Sequence, residues 1–454
     1  MSGSPYAGAL SVHQNPASFA AYQQRWDVTA AGFNIFLQKN NFLQIPTGFL
    51  NLNLDNIKVK EGQYERFFRG HSKVSILNAV LQLKNNGYIA AGINIRLYGQ
   101  LNTSALFYSR NLNTAQFLAA NKTNNPLEGR MVTNNWVEGY FTYGRKVAES
   151  ESDAWIAGAT LKLMRGSFGF NADIGNFIIV PSTDVTQPED FLTQVTAEYH
   201  ISRNIERFDD QSPRSKVISE LLSGTGPTPG IDLGIEYVRY KTKRTSGYYV
   251  TEDKSQYDFR IGASITDIGR LSYQTGVASS IASNMRPGIT GTVLDNKFPY
   301  TTISDFSLLD FTDSLTTVVN NLARQTGKFA LSLPAKFIVT ADKSFSNNLY
   351  LGTQIVVPLT GNSWTTTKHV SEIAHILINP RWETSFAGLY IPVMVNIDGQ
   401  AMVGAAIRLG PILAGIHDFG SLSSRNDFNR GGYYMAISIK PFDLKKRNRD
   451  CPEF

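Results

Sequence analysis

YIAAGINIRLYGQL, residues 88–101, is the stretch on which the fold turns. Taken two residues at a time, Ile89, Ala91, Ile93, Ile95, Leu97, Gly99 and Leu101 fall on one side. Ala90, Gly92, Asn94, Arg96, Tyr98 and Gln100 fall on the other. Successive strand side chains point to opposite faces, so this is a strand with one apolar and one polar face. About ten residues let a tilted strand cross a bilayer, and this one is long enough. Gly and Asn at its centre are poor formers of a core strand but suit a wall whose polar side meets a wet or filled lumen. Just upstream, VSILNAVLQLK (74–84) leads into Asn85-Asn86-Gly87. Asn-Gly between two alternating runs is the strongest short-range hairpin signal.

The same unit recurs along the chain. Strands are expected near 25–38, 135–147, 154–164, 167–180, 193–202, 231–240, 257–266, 329–343, 349–359, 375–384, 387–396, 401–414 and 432–442. With the opening hairpin this gives an all-β chain. The fold class expected is a transmembrane antiparallel β-barrel. A single-chain bacterial barrel wants an even strand number, which selects about fourteen within a range of roughly 12–16. The last strand, with Tyr433, Met435, Ile437 and Ile439 outward, must pair with the first for the barrel to close.

Between the strands lie longer polar stretches: 39–70, 103–133 with a short helix at 114–120, 181–228 with a helical patch at 215–222, and 276–327. In the last, Leu308, Phe311, Leu315, Val318 and Leu322 recur at helical spacing, so 304–327 is expected to be an amphipathic helix from Ser304 to Gly327. Residues 1–24 precede the first strand. There Asn15-Pro16 marks a turn before an Ala-rich patch, and the segment is either a plug or hatch in the barrel or a cap on its first strand. Residues 443–454 form a basic tail, expected on the periplasmic side.

Composition agrees with this and removes other classes. Of 454 residues, 42% are hydrophobic, and no apolar run approaches the ~18 residues of a spanning helix. The 27 Phe, 20 Tyr and 37 Gly fit a barrel in which alternate residues meet lipid. The net charge of +6 is spread along the chain, apart from KKRNR (445–449), so no nucleic-acid footprint is present. The single Cys, Cys451, cannot form an intrachain disulfide. MSGSPYAGAL carries no secretory signal, so the encoding gene is expected to begin upstream of it.

Catalytic chemistry has no footing. His13, His71, His200, His369, His375 and His417 are scattered and form no HExxH. There is no G-x-S-x-G and no Cys cluster, and GTGPTPG (224–230) lacks the Lys-Ser/Thr of a phosphate loop. No enzyme, cofactor or metal is expected. The candidate functional residues are instead those on polar strand faces: Asn94, Arg96, Tyr98, Glu138, Lys162, Asp232, Glu236, Arg260 and Arg408, with Asn15 and Pro16 as the candidate hatch. They could line a pathway, or fill an interior with paired charges, Asp232 or Glu236 meeting Arg260 across one hairpin. Their mixed signs argue against a simple ion-selective pore.

Several blocks together resemble a Bacteroidota family of outer-membrane barrels of unknown function. That family is similar in form to the FadL-type long-chain fatty-acid transporters and the PorV-like barrels of type IX secretion. The blocks are Asn15-Pro16-Ala17, GATLKLMRG (158–166), GIDLGIEY (230–237), FRIGASITDIGRLSY (259–273), LSLPAKFIVTADKSF (331–345), AIRLGPILAGIHDF (406–419) and KKRNRDCPEF (445–454). The resemblance implies a bacterial outer-membrane location, with lipid and lipopolysaccharide around the barrel. It implies passive transport of small hydrophobic molecules or, as the alternative, a non-transporting accessory role beside other outer-membrane proteins in a secretion, gliding or assembly machine. A cavity under residues 1–24 favours the first, and a solid lumen the second.

Overall fold

In a computed structural model the chain is described at residues 4, 7–18, 25–40, 43–44, 58–83, 87–122, 126–182, 189–206, 226–244, 250–298, 308–345, 348–360, 368–420 and 429–440. The expected helical patch at 215–222, the Ser304 cap, Cys451 and the basic tail lie outside these residues.

Among the described residues fourteen strands close one antiparallel barrel. In chain order they are β1 (Trp26–Lys39), β2 (Gly62–Gln82), β3 (Gly87–Tyr108), β4 (Leu127–Glu149), β5 (Asp153–Val180), β6 (Thr228–Arg244) and β7 (Val250–Gln274). There follow β8 (Lys336–Ser344), β9 (Leu349–Pro358) and β10 (His375–Glu383). β11 is interrupted (Ala387–Tyr390 and Val393–Asn396), as is β12 (Ala401–Val403 and Ala405–Leu409), and β13 (Ile412–Ile416) and β14 (Arg430–Ile439) complete the wall. β14 runs against β1, with Val28 opposite Ile439 and Gln38 opposite Arg430. The ladder therefore has no free edge around the barrel. Short turns, such as 150–152 and 410–411, and the starts and ends of the outermost strands gather at one end. Long connections gather at the other.

The strands are longer than the sequence suggested. β2 begins at Gly62, inside the expected 39–70 loop, and β3 and β4 reach into 103–133. These extensions mix charged and apolar side chains without strict alternation, as in Arg66-Phe67-Phe68-Arg69 and Leu106-Phe107-Tyr108, so a period-2 reading does not reveal them. Residues 154–164 and 167–180 are one strand, β5. Residues 329–343 are two, Lys328–Ser332 and β8, divided at Leu333–Ala335, where Pro334 cannot donate to a ladder. Residues 401–414 are a hairpin folded at Gly410-Pro411. Of the expected helix 304–327, the described residues are helical at Leu308–Val318 and pass directly into a strand, Val319–Arg324, so Gly327 does not end a helix.

At the loop end β5 forks. Its first half pairs with β6 and its second with Phe191–Ile201, which pairs with Ser280–Met285, which pairs with Val319–Arg324. The helices Thr114–Asn121, Gly291–Lys297 and Leu308–Val318 accompany this extra sheet, and Leu118, Leu192, Tyr199, Met285, Leu315 and Val318 form an apolar core of their own. On the barrel wall the outward residues are apolar and open, with Leu161 at 63% and Leu163 at 60% exposure beside Ile93, Leu233, Ile235 and Ile261. Toward the turn end this band finishes in a row of rings, Trp155 to Tyr237 at 5.0 Å and Tyr237 to Phe259 at 5.8 Å.

Candidate functional site: a lumen closed by the N-terminal segment

The first described residues fold back into the lumen near the turn end. A 3-10 helix spans Gly8–His13, ahead of Asn15-Pro16, and the Ala-rich patch expected after that turn lies largely outside the described residues. Ala7, Ala9, Val12 and Ala17 pack against inward side chains of the wall, among them Tyr88, Tyr140, Ile156 and Val238. The wall is shaped for this segment. A Cβ on Gly158 would stand 2.4 Å from the Pro16 carbonyl oxygen, one on Gly234 2.0 Å from Asn15 Oδ1, and one on Gly262 2.7 Å from Asn15 Nδ2. Gly158 and Gly234 are direct cross-strand partners, and Gly262 is on the next strand, so three adjacent strands lack side chains where the Asn15-Pro16 turn sits. This backbone approach is the reason for glycine on those strand faces.

Polar bonds hold the segment in its seat. Asn15 Nδ2 donates to the Ile235 carbonyl (3.1 Å), Ser264 Oγ to the Gln14 carbonyl (2.5 Å), and the Ala9 N–H to Asp27 Oδ1 (3.0 Å). Arg260 Nη2 reaches the Ser18 carbonyl (3.3 Å), while Arg260 Nε bonds Glu236 at 2.5 Å. Ser4 Oγ donates to Glu383 (2.5 Å), which also takes Arg381 at 3.0 Å, and Arg381 in turn grips Asp342 at 2.6 and 2.9 Å.

Above the seat lies a second buried network. Arg96 makes a bidentate pair with Asp267 (2.5 and 2.8 Å) and reaches Glu138 at 3.4 Å. Glu138 also accepts from Asn94 (3.2 Å) and from the Trp136 indole (3.1 Å). Lys162 lies between Asp267 (2.6 Å) and Asp232 (2.8 Å), and Lys336 pairs with Glu372 (2.7 Å), to which Tyr98 donates at 3.3 Å. Charges buried this deeply are tolerated only when paired and hydrogen-bonded, and these are.

The nine strand-face residues singled out from the sequence are therefore all buried on the inner side of the wall, in separate roles. Asn94, Arg96, Tyr98, Glu138, Lys162 and Asp232 share the upper network. Glu236 and Arg260 pair with each other beside the N-terminal segment, whereas Asp232 turns to Lys162 instead of Arg260. Arg408 stands apart, its guanidinium bonded to the carbonyls of Thr384, Ser385 and Ala387 at a turn. Sequence reasoning missed Asp267, Lys336, Glu372, Asp342, Arg381 and Glu383. Asp267 sits in a bulge, where the register shifts between Ile265 and Ile268, at φ 61°. Asp is among the few side chains that tolerate this left-handed conformation, and Thr-Asp-Ile-Gly after an alternating run was the available signal.

Beside the network is a cavity of about 360 Å³. Its floor includes Ala7, Leu10, His13 and Gln14 of the N-terminal segment, and its wall includes Phe36, Tyr98, Ile373, Met394, Leu413 and Tyr434. It also touches Phe33 and Met435, which are cross-strand partners on the outward face, 41% and 37% exposed. Nearby β1 carries a bulge against β14 between Thr29 and Ala31, and β2 one against β3 between Ser75 and Leu77. Among the described residues no group of His, Cys, Asp and Glu is arranged to hold a metal ion.

Fold and site together define a closed β-barrel whose own N-terminal segment floors an internal cavity. The chain belongs to the Family of unknown function (DUF5723), which matches residues 16–416. No curated protein matches it in sequence. Among solved structures it is similar to a deltaS2S3 mutant of the TodX monoaromatic hydrocarbon channel, at 9% identity over 95% of this chain and 94% of that one, with a TM-score of 0.45. It is also similar to a FadL homologue from Pseudomonas aeruginosa (11% identity, 96% and 94% covered, TM-score 0.43). A third is the toluene transporter TbuX of Ralstonia pickettii (9%, 95% and 94%, TM-score 0.41).

Proposed function

We propose that the protein is a passive channel of a bacterial outer membrane, taking a small, mostly apolar molecule past the N-terminal hatch. The observation that carries this reading is the cavity. It is floored by hatch residues, walled by aromatic and aliphatic side chains together with charged groups such as Arg96, Asp267, Lys336 and Glu372, and touches outward-facing Phe33 and Met435 at a seam loosened by bulges. Ligand sites are concave, mostly apolar and furnished with a few polar groups, as this one is. The apolar outer band ending in aromatic rings supports placement in a bilayer. A solid lumen would have spoken for the accessory role, and the lumen has room.

The test is uptake of N-phenylnaphthylamine by cells carrying the folded barrel in their outer membrane. Wild type is expected to speed uptake over cells without it. Gly234→Ala, whose new Cβ would collide with Asn15, is expected to speed it further by unseating the hatch. Gly32→Trp, which intrudes into the cavity, is expected to slow it. Equal uptake in all four strains, with heat-modifiable barrel confirmed in each, removes the reading.

A further inference from the structure

We infer that the outer wall over β5–β7 seats the phosphates of lipopolysaccharide, with Arg165 and Arg270 as its principal cations and Arg203 and Lys328 beside them; this rests on the outer-membrane placement made above and not on passage through the lumen. The register fixes where these residues stand. Lys162 is opposite Gly230, and Gly230 is opposite Gly269, so the three share one row across β5, β6 and β7. Flanking that row on the outward face are Leu163, Ile231 and Ile268, all exposed. The next outward residues toward the loop end are Arg165 on β5 and Arg270 on β7. Met164 and Leu271, beside them in the chain, are buried inward, so both arginines point away from the lumen. Two strand spacings across and two residues along place their Cα atoms about 12 Å apart, near enough for two such long side chains to grip one phosphate. Lys328 stands opposite Gln274, four residues beyond Arg270 on the same face. Arg203 is exposed on the short helix Arg203–Glu206, next to Asn204, whose Nδ2 donates to the Ser167 carbonyl two residues past Arg165.

Within the chain these four cations have no partners. Among the described residues none of their side chains makes a hydrogen bond or ion pair, and Arg165 Nε is buried without an acceptor. Exposed cations elsewhere at the loop end are tied to carboxylates: Lys122 to Asp190, Arg130 to Asp173, Arg324 to Asp313 and Lys368 to Glu198. Here the sequence supplies none, since residues 163–170, 226–230, 268–274 and 328–332 contain no Asp or Glu. A patch of one sign at the upper margin of an apolar band fits a lipid whose anionic part sits directly above acyl chains. The long loops of a bacterial barrel are its external side, so this rim meets the outer leaflet. The acidic lipid there is a phosphorylated sugar carrying several acyl chains. Its chains would lie along exposed Leu161, Leu163 and Leu233, and its phosphates at Arg165 and Arg270, whose planar forks pair with phosphate oxygens bidentately. A zwitterionic phospholipid brings its own ammonium to its phosphate and would leave this cluster uncompensated.

The experiment uses the full chain in dodecyl maltoside micelles, with bound lipid counted by native mass spectrometry. Diphosphoryl lipid A, its enzymatically dephosphorylated form and phosphatidylglycerol are titrated separately. Diphosphoryl lipid A is expected to bind most tightly. Arg165→Gln with Arg270→Gln is expected to weaken it about tenfold or more, through lost charge-assisted hydrogen bonds, and to leave the dephosphorylated form unchanged. Lysine at both positions should keep most of the affinity, and Arg145→Gln, exposed near the turn end, should keep all of it. The inference falls if the dephosphorylated form or phosphatidylglycerol binds as tightly, or if the double variant binds like wild type. It falls also if inorganic phosphate at equal concentration displaces the lipid, for the site then takes a free anion. Heat-modifiability checks the fold of each variant. Should the double variant fail to fold, Arg165→Gln and Arg270→Gln singly are each expected to lose part of the affinity, and no loss in either overturns the proposal. Uptake of N-phenylnaphthylamine is read separately, so this inference and the channel reading fail independently.

Discussion

Lys162 shows what a single residue does in this lumen. It is 1% exposed, its ammonium within 2.8 Å of Asp232 and 2.6 Å of Asp267. Replacing a buried ion pair by apolar groups can be neutral, but removing one partner strands the other. Lys162→Met leaves Asp232 with only the Asp267 N–H, at 2.6 Å, and so should cost roughly 3–5 kcal/mol. Adding Asp232→Leu to it should recover part of that loss, because the pair is then removed together. Urea unfolding followed by tryptophan fluorescence checks both, and a Lys162→Met barrel as stable as wild type would mean the network is not what holds the lumen. At this scale the sequence was partly legible. Arg96, Glu138, Lys162 and Asp232 alternate with apolar neighbours, so their face could be read. Asp267 could not, because a bulge breaks the alternation at the position that gives it its role.

β5 carries the same lesson at the scale of an element. Its inward residues run Thr160, Lys162 and Met164 before Gly166, and Ser167, Gly169 and Asn171 after it. The phase changes by one residue, and the register against β4 moves from Trp136 opposite Gly166 to Asn135 opposite Phe168. Ser167 is the extra residue of a bulge. Period-2 reading therefore broke one strand into two, and the same strictness merged β12 and β13 where the turn at Gly410-Pro411 is only two residues long. Hydrophobic alternation finds strand middles and faces. It does not find bulges, tight turns, or polar strand ends such as the first residues of β2. Deleting Ser167 should consequently leave both halves of β5 on their present faces, since Gly166 inward, Phe168 outward and Gly169 inward already alternate and Trp136 and Asn135 stay their partners; what is lost is the local twist that the bulge adds. The expected result is a heat-modifiable barrel whose loop end resists added protease in whole cells. Ser167→Ala, which keeps the length, should behave as wild type, and a barrel lost or cut at its loop end on deletion would show that the twist at the fork is required.

The molecule as a whole exposes its apolar residues in a band and encloses its charges, an inverted soluble protein. That arrangement gives opposite predictions for a barrel in water and a barrel in lipid. Leu161 is 63% exposed on β5, six residues beyond Trp155 of the aromatic row and short of Arg165. In water, Leu161→Arg would be close to neutral, since surface substitutions away from special features change stability by about 0.5 kcal/mol or less. In a bilayer the same change puts a cation on the lipid face, at about 2–4 kcal/mol near the midplane and less toward the edges. Leu233, 46% exposed and opposite Ala159 on the neighbouring strand, should respond alike. Val147, also outward-exposed at 62% but close to the turn at 150–152, should tolerate arginine better, because it lies toward the edge of the band. Urea titration of the three variants refolded into lipid vesicles measures this depth profile. Equal, near-zero costs at all three positions would place the band in water, and with it would go the bilayer location on which the channel reading depends.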